Sequence, residues 1–320
     1  MKAIRYHRHG GPDVLQLDDV PAPEPAPGEV RIAMRVAGVN FIDTYLRSGL
    51  YPSSLPAVAG KEGAGVVEAV GAGVDDVAVG DRVAFFDAQG SYADQVVLRA
   101  ERLLPLPGGL SFSDGAALPL QGMTARYLIH TIRPLGPGDR VLVHAAAGGV
   151  GLLAVQMAKL AGAEVFGTCS TEEKAERARS AGADHVILYT QCDFADEVLR
   201  LTGGRGVDLA IDGVGKATFL GSVRATRVRG HVILFGQASG MPDPFNPRKV
   251  LGSRTLTTAS LFDYVGTREE LLESSGFVFE LAAAGKLRVA VDRVLPLAEA
   301  AEAHRLLEGR ATSGKLLLEL

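Results

Sequence analysis

Cysteine is nearly absent from this chain of 320 residues, with only Cys169 and Cys192 present. Two thiols build no disulfide framework, and they fit a reducing, cytoplasmic compartment. Histidine is scarce as well, and none stands between His9 and His130. Catalytic zinc takes three ligands from Cys, His or carboxylates, and structural zinc commonly takes four cysteines. The first third of the chain has only scattered acids to offer, so no metal is expected. No apolar run reaches the roughly 18 residues of a membrane span. The N-terminus Met1-Lys-Ala-Ile-Arg-Tyr-His-Arg also lacks the apolar stretch of a secretory signal. The net charge is −4 and no basic block interrupts it, which argues against nucleic acid and anionic membranes as partners.

What remains is an ordinary globular composition, 47% hydrophobic and 22% charged. The length exceeds one core and suggests two domains. Residues 1–122 are β-rich, with candidate strands Lys2–Tyr6, Gln16–Val20, Glu29–Val39, Gly63–Val70, Arg82–Phe86 and Tyr92–Leu98. Gly, Pro and Asp clusters separate them, as expected of a closed or nearly closed barrel. One helical stretch, ended by Gly49, runs from Asn40, and a second is expected from Phe112 to about Ile132. Residues 123–262 then alternate strand and helix five times, with strands at Val141–His144, Glu164–Thr168, His185–Tyr189, Val207–Ile211 and His231–Phe235. This is the rhythm of βαβ units and a doubly wound parallel sheet, with Leu256–Ala259 as a sixth, edge strand. Residues 263–320 hold two helical and two strand patterns too small to bury a core alone, and they are expected to rejoin the first domain. The fold class is therefore α/β.

Within the alternating region, strand Val141–Val143 meets the small-residue turn Ala146-Ala147-Gly148-Gly149-Val150-Gly151, followed by a helical apolar face. Strand, tight glycine turn and helix set backbone N–H groups against a pyrophosphate, which assigns Ala147, Gly148, Gly149, Val150 and Gly151 to cofactor phosphates. The turn departs from the usual pattern in having Ala146 at its first position. The end of the second strand selects the nicotinamide cofactor. A carboxylate there accepts the ribose 2′-OH of NAD, whereas a 2′-phosphate requires donors and positive charge. Thr168-Cys169-Ser170 stands at that position, and Glu172 and Glu173 fall in the next helix's first turn. Ser170 and Lys174 either meet a phosphate or serve as a helix cap and a solvated lysine. NADPH is the favoured cofactor.

Three stretches carry a family resemblance: Gly38-Val-Asn-Phe-Ile-Asp-Thr-Tyr-Leu-Arg-Ser-Gly-Leu-Tyr51, His144-Ala-Ala-Ala-Gly-Gly-Val-Gly151 and Arg310-Ala-Thr-Ser-Gly-Lys315. Over nearly its whole length the chain resembles the medium-chain dehydrogenase/reductase superfamily, and within it the zinc-free, zeta-crystallin-like quinone oxidoreductases. The resemblance implies a GroES-like β-rich catalytic domain beside a Rossmann domain. Zinc-dependent relatives place a Cys near Asn40 and Gly-His-Glu where Gly60-Lys61-Glu62 stands. It also implies Asn40, Thr124, Phe235 and Gly236 near the nicotinamide, and Tyr45 and Tyr51 in the substrate cleft. Lys174, Tyr189 and Arg310 would hold the 2′-phosphate and adenine. Helix capping for Asn40 and helix packing for the two tyrosines stay open as alternatives. At its strand end, His144 reads as a packed core residue.

These readings describe an NADPH:quinone oxidoreductase, and the resemblance further implies a homodimer through the Rossmann sheet edge at Thr255–Ser260. Without a Lewis acid, acceptors already activated for hydride fit best, namely quinones or conjugated enones. An enoyl or enone reductase is the alternative. A nucleotide-binding protein with an RNA-binding or structural role is disfavoured by the charge.

Overall fold

The computed structural model describes residues 1–309 and 312–320 and divides into two compact units, Met1–Leu120 with Thr267–Leu320, and Gln121–Gly266. In chain order the first run is β1 (Lys2–Tyr6), β2 (Gln16–Asp19), β3 (Glu29–Val39), α1 (Phe41–Ser48), β4 (Ala57–Val58), β5 (Glu62–Val70), β6 (Arg82–Phe85), β7 (Gln95–Arg99), β8 (Leu104–Pro105), α2 (Phe112–Ala117) and α3 (Pro119–Arg126). The second is β9 (Arg140–Val143), α4 (Gly149–Leu160), β10 (Glu164–Cys169), α5 (Glu172–Ser180), β11 (His185–Leu188), α6 (Phe194–Leu201), β12 (Val207–Asp212), α7 (Phe219–Ala225), β13 (Thr226–Leu234), α8 (Pro247–Leu251) and β14 (Thr255–Thr258). The chain closes with α9 (Arg268–Ala283), β15 (Val291–Pro296), α10 (Ala300–Glu308) and β16 (Lys315–Glu319).

In the first unit the long β3 organises the sheet. It pairs antiparallel with β5 along one edge, and with β7 and β16 along the other. β5 continues to β6 and then β8. The seven strands of this sheet run β15-β16-β3-β5-β6-β8 with β7 on β3, and β2-β1-β4 form a second sheet of the unit. Ile32, Met34, Val67, Val83, Phe85 and Val96 lie in the core of this unit. β15 pairs parallel to β16, so the last residues of the chain complete the sheet that the first third begins.

In the second unit the order β11-β10-β9-β12-β13-β14 is parallel throughout. Numbered within the unit, this is the 3-2-1-4-5-6 order of dinucleotide-binding sheets, whose ligands lie beyond the carboxyl ends of the strands. β14 is an edge strand. The central strands β9, β10 and β12 are buried on both faces, as a sheet covered on both sides requires, whereas the edge strand β14 is partly exposed.

Some expectations are corrected. The single helix expected from Phe112 to about Ile132 is broken: α2 ends before Leu118, α3 begins at Pro119, and Tyr127–Thr131 winds into a π-helical turn. Pro119 has no N–H to continue the hydrogen bonding of the first helix, although Leu118 before it keeps helical backbone. The strand expected at Tyr92–Leu98 begins only at Gln95, with Ala93 making a lone bridge to Ala3. The short β4, β8 and α8 have no signal in the sequence pattern.

The glycine turn depends on close packing. A Cβ at Gly151 would lie 2.2 Å from the Ala145 carbonyl oxygen and 2.9 Å from Ala146 Cα. Backbone atoms cannot give way as a flexible side chain can. Gly151→Ala is expected to lower stability by about 1–3 kcal/mol, the usual range for overpacking. Urea unfolding measures this, and a loss below about 0.5 kcal/mol would contradict the packing argument.

Candidate active site

The second unit gathers the cofactor candidates at one end of its sheet. Gly148 caps the N-terminus of α4, and Gly149, Val150 and Gly151 form its first turn. The left-handed residue of the turn is Ala145, at φ 49°, and none of the three glycines. A Cβ on Gly149 would collide with the side-chain amide of Gln121, which lies 2.2 Å away. Small residues at Gly148, Gly149 and Gly151 leave the main chain open to a close approach, which suits a pyrophosphate. Gln121 is a neighbour of this turn that sequence reasoning missed, and no motif marks it. Thr124, on α3, is buried.

Ser170 follows β10 directly, and no acid stands at that strand end. Glu172 and Glu173 pair instead with Arg179 and Arg177. The helix cap is Thr171, whose hydroxyl accepts from the Lys174 N–H. Ser170 is thus not the cap of α5, which corrects one alternative for it. The Tyr189 N–H donates to the Cys169 carbonyl at 3.2 Å, and the Thr190 hydroxyl donates to the Ser170 carbonyl at 3.0 Å. These bonds seat Tyr189, half exposed, beside Ser170 and the start of α5 that carries Lys174. Phe235 and Gly236 follow β13 directly and lie against Gly213, which follows β12. Arg310 lies outside the described residues.

His144, at the end of β9, is buried. Its Nδ1 lies 2.9 Å from the Thr168 hydroxyl and its Nε2 2.9 Å from the Ser222 hydroxyl, which donates to Asp212. Burial lowers its pKa, and the ring is spent inside the core.

The first unit assembles a second constellation. Asn40 stands at the N-cap of α1, where the Asp43 carboxylate accepts from its backbone N–H at 2.9 Å. Asn40 and Asp43 form a capping box at this end, and the Asn40 side chain also reaches two charged groups. The amide Oδ1 accepts from the buried Lys315 ammonium at 2.7 Å, and Nδ2 donates to the Glu62 carboxylate at 2.8 Å. Lys315 also bonds Glu62 directly, and the second Glu62 oxygen accepts the Leu120 N–H at 2.8 Å. Lys315 and Glu62 are both fully buried. A Cβ on Gly38 would meet the Ala116 carbonyl, Glu62 and Lys315 within 3 Å, so a glycine is needed there to let the pair form. Both partners lie in stretches singled out in the sequence, but only the fold puts them together.

On the exposed side of α1, the rings of Tyr45 and Tyr51 meet edge-on at 5.4 Å, and Phe41 lies 6.2 Å from Tyr45. The Tyr51 N–H donates to the Tyr45 carbonyl at 3.1 Å, which fixes the loop after the helix. Burial, with Tyr51 adding to it, pushes the Tyr45 phenol up to about 12. It is therefore a neutral hydrogen-bond donor beside a partly open aromatic surface.

The donor set here does not suit a metal. The Asn40 amide is held between Lys315 and Glu62, and the Lys61 ammonium pairs with Asp87 at 2.9 Å. Among the described residues no cluster of three or more His, Cys, Asp or Glu has metal-binding geometry.

Beneath α1 a directed chain of hydrogen bonds runs through the core. Arg47 donates to His304 Nδ1 at 3.0 Å, which leaves the proton on Nε2, 3.3 Å from the Tyr92 hydroxyl. Tyr92 donates in turn to Asp43 at 3.0 Å. Burial raises Asp43 to about 7, and burial with the Arg47 charge lowers His304 to about 3.

Two family descriptions match the chain: an alcohol dehydrogenase GroES-like domain over residues 26–108 and a zinc-binding dehydrogenase over residues 149–275. The 2-haloacrylate reductase of a Burkholderia species is 43% identical, covering 99% of this chain and 98% of that protein. Quinone oxidoreductase 1 of Escherichia coli strain K12 is 42% identical, covering 98% of each. The crystal structure of the Escherichia coli quinone oxidoreductase complexed with NADPH superposes with a TM-score of 0.97 at 41% identity, covering 100% of both chains.

The two buried titrating groups make opposite contributions to stability. Asp43, raised in the folded state, contributes stability at low pH that is lost as pH rises towards 7. His304, lowered, contributes stability at neutral pH that is lost as pH falls towards 3. Between about pH 4 and 6.5 the two nearly cancel. Asp43→Asn removes the falling limb, so the variant's stability should rise with pH more steeply than the parent's by about 1.4 kcal/mol per pH unit. Denaturation midpoints at three pH values decide it, and equal slopes would refute the assignment.

Proposed function

The chain belongs to the medium-chain dehydrogenase/reductase superfamily and, within it, to the quinone oxidoreductases, and from that premise we propose that it is an NADPH-dependent quinone reductase working without a metal. The observation that carries the cofactor half is the end of β10, where Ser170 stands in place of a carboxylate with Lys174 and Tyr189 beside it. The turn from Ala147 to Gly151 and the N-terminus of α4 would hold the pyrophosphate through backbone N–H groups, with Gln121 closing one side. Thr124, Phe235, Gly236 and Asn40 would border the nicotinamide, and Arg310 would add charge at the 2′-phosphate. When bound, NADPH supplies a hydride.

On the acceptor side, Tyr45 and Tyr51 offer a flat surface on which a quinone ring can stack, and the neutral Tyr45 hydroxyl can donate to its oxygen. Positioning and exclusion of water are what these residues contribute. The proton that completes the hydroquinone comes from solvent. A second reading, reduction of an activated C=C bond, is favoured by one specific observation, the full-length similarity to a 2-haloacrylate reductase. The edge strand β14 is proposed as the seam of a homodimer, formed when two copies pair through it. No described helix is long and apolar enough to cross a membrane. The −4 charge and the two cysteines favour a cytoplasmic protein with small-molecule rather than nucleic-acid partners.

Steady-state rates with NADPH and NADH against 1,4-benzoquinones, naphthoquinones, conjugated enones and 2-haloacrylates test both readings. Quinone turnover with NADPH preferred is the expected result, and turnover of acrylates or enones alone would overturn it. Lys174→Ala should lower kcat/KM for NADPH by about tenfold, the worth of one hydrogen bond to a charged group. NADH should be little affected by that change. Equal losses with both cofactors would remove Lys174 from the 2′-phosphate site.

A further inference from the structure

The buried Lys315–Glu62 pair determines which way round the Asn40 amide sits. An ammonium only donates and an ionised carboxylate only accepts. Oδ1 must therefore face Lys315 and Nδ2 must face Glu62, as the 2.7 Å and 2.8 Å contacts have it. The amide's accepting oxygen already has a charged partner, and one N–H is committed. Among the described residues its second N–H has only the Gly38 carbonyl, at a long 3.4 Å. What Asn40 can still offer a ligand is one donor. The cation on Oδ1 strengthens that donor while the carboxylate on the sister N–H weakens it, so what the pair fixes is the direction of the donor rather than its strength.

We propose that Lys315 is a positioning residue for hydride transfer: with Glu62 it fixes which way round the Asn40 amide sits, and so holds the second Asn40 N–H as an oriented donor to the carbonyl oxygen of the hydride acceptor. This rests on the quinone-reductase reading and on Asn40 lying beside the nicotinamide. As hydride adds, two electrons and one proton enter the acceptor as H⁻, and its carbonyl π bond releases a pair onto oxygen. The Asn40 N–H stabilises that oxygen as its charge develops, and solvent then protonates it. Lys315 and Glu62 keep their protonation states throughout.

Lys315→Met alone leaves Glu62 buried and uncompensated, so a loss of activity there would not separate misfolding from catalysis. The informative variant is Glu62→Gln with Lys315→Met, which removes both charges at similar volume. The amide introduced by Glu62→Gln both donates and accepts, so Asn40 is freed to sit either way round. The pair is combined with Asn40→Ala in a cycle on the full-length enzyme. In the native background Asn40→Ala should lower kcat at least tenfold while the Kd for NADPH, read from its fluorescence, moves less than threefold. In the Glu62→Gln/Lys315→Met background, itself similarly slow, Asn40→Ala should cost less than twofold further.

Additive losses overturn the proposal, as does native kcat in the charge-free variant. A rise in the NADPH Kd with kcat retained also overturns it, because the donor would then serve the cofactor. If no quinone is turned over, the functional reading fails, and the same cycle is run with whichever enone or acrylate is reduced. Should the charge-free variant not melt cooperatively, the native protein labelled with 15N-asparagine decides. Two resolved, slowly exchanging Asn40 side-chain protons support the fixed amide, and a rapidly exchanging pair refutes it.

Discussion

A lysine and a glutamate, both fully buried and 253 residues apart in the chain, meet in the first unit. Neither charge would survive there alone. Stranding one partner of a buried pair commonly costs about 3–5 kcal/mol, so the unit tolerates both or neither. The pair's other bonds go to near neighbours. Glu62 takes the Asn40 amide and the Leu120 N–H, and Lys315 takes the Asn40 oxygen. The pair therefore ties β5, the start of α1, the end of the first run of chain and β16 into one node. Gly38 belongs to the same constraint, since any side chain there would displace the ammonium and the carboxylate.

From that node the functional geometry of the first unit extends in two directions. One face of α1 points down into the core, where Arg47, His304, Tyr92 and Asp43 are linked in a chain of hydrogen bonds of defined direction. The other presents Phe41 and Tyr45, with Tyr51 returning over it from the following loop. A short helix with a buried charged face and a partly open aromatic face needs a rigid footing, because its packing contains little that is merely apolar. The N-cap position of Asn40, whose side chain is held by two charges, supplies that footing.

The second unit relies on backbone rather than charge. Parallel strands buried on both faces bring five loops to one rim, and small residues there allow main chain to approach main chain. His144, Thr168, Ser222 and Asp212 satisfy one another just beneath that rim. Its histidine serves packing, so a strand-end position in such a sheet does not by itself indicate catalysis.

Much of this was legible in the residues themselves. Five strand–helix alternations, the turn from Ala146 to Gly151 and the missing acid after β10 are local features, set by hydrophobic period, turn chemistry and nearest neighbours. The same holds for Gly49 ending α1 and for Glu172 and Glu173 opening α5. The break at Pro119, the cap at Thr171 and the closing of Gln121 over Gly149 were not legible, because each depends on which of several equivalent hydrogen bonds the packing permits. Least legible was the role of Asn40. A helix cap and a site residue have the same sequence signature, and only the fold brings Glu62 and Lys315 to its side chain. Local chemistry decided the elements and the cofactor class. Long-range burial of charge decided which groups the elements present, because the cost of desolvation is set by neighbours that the sequence places hundreds of residues away.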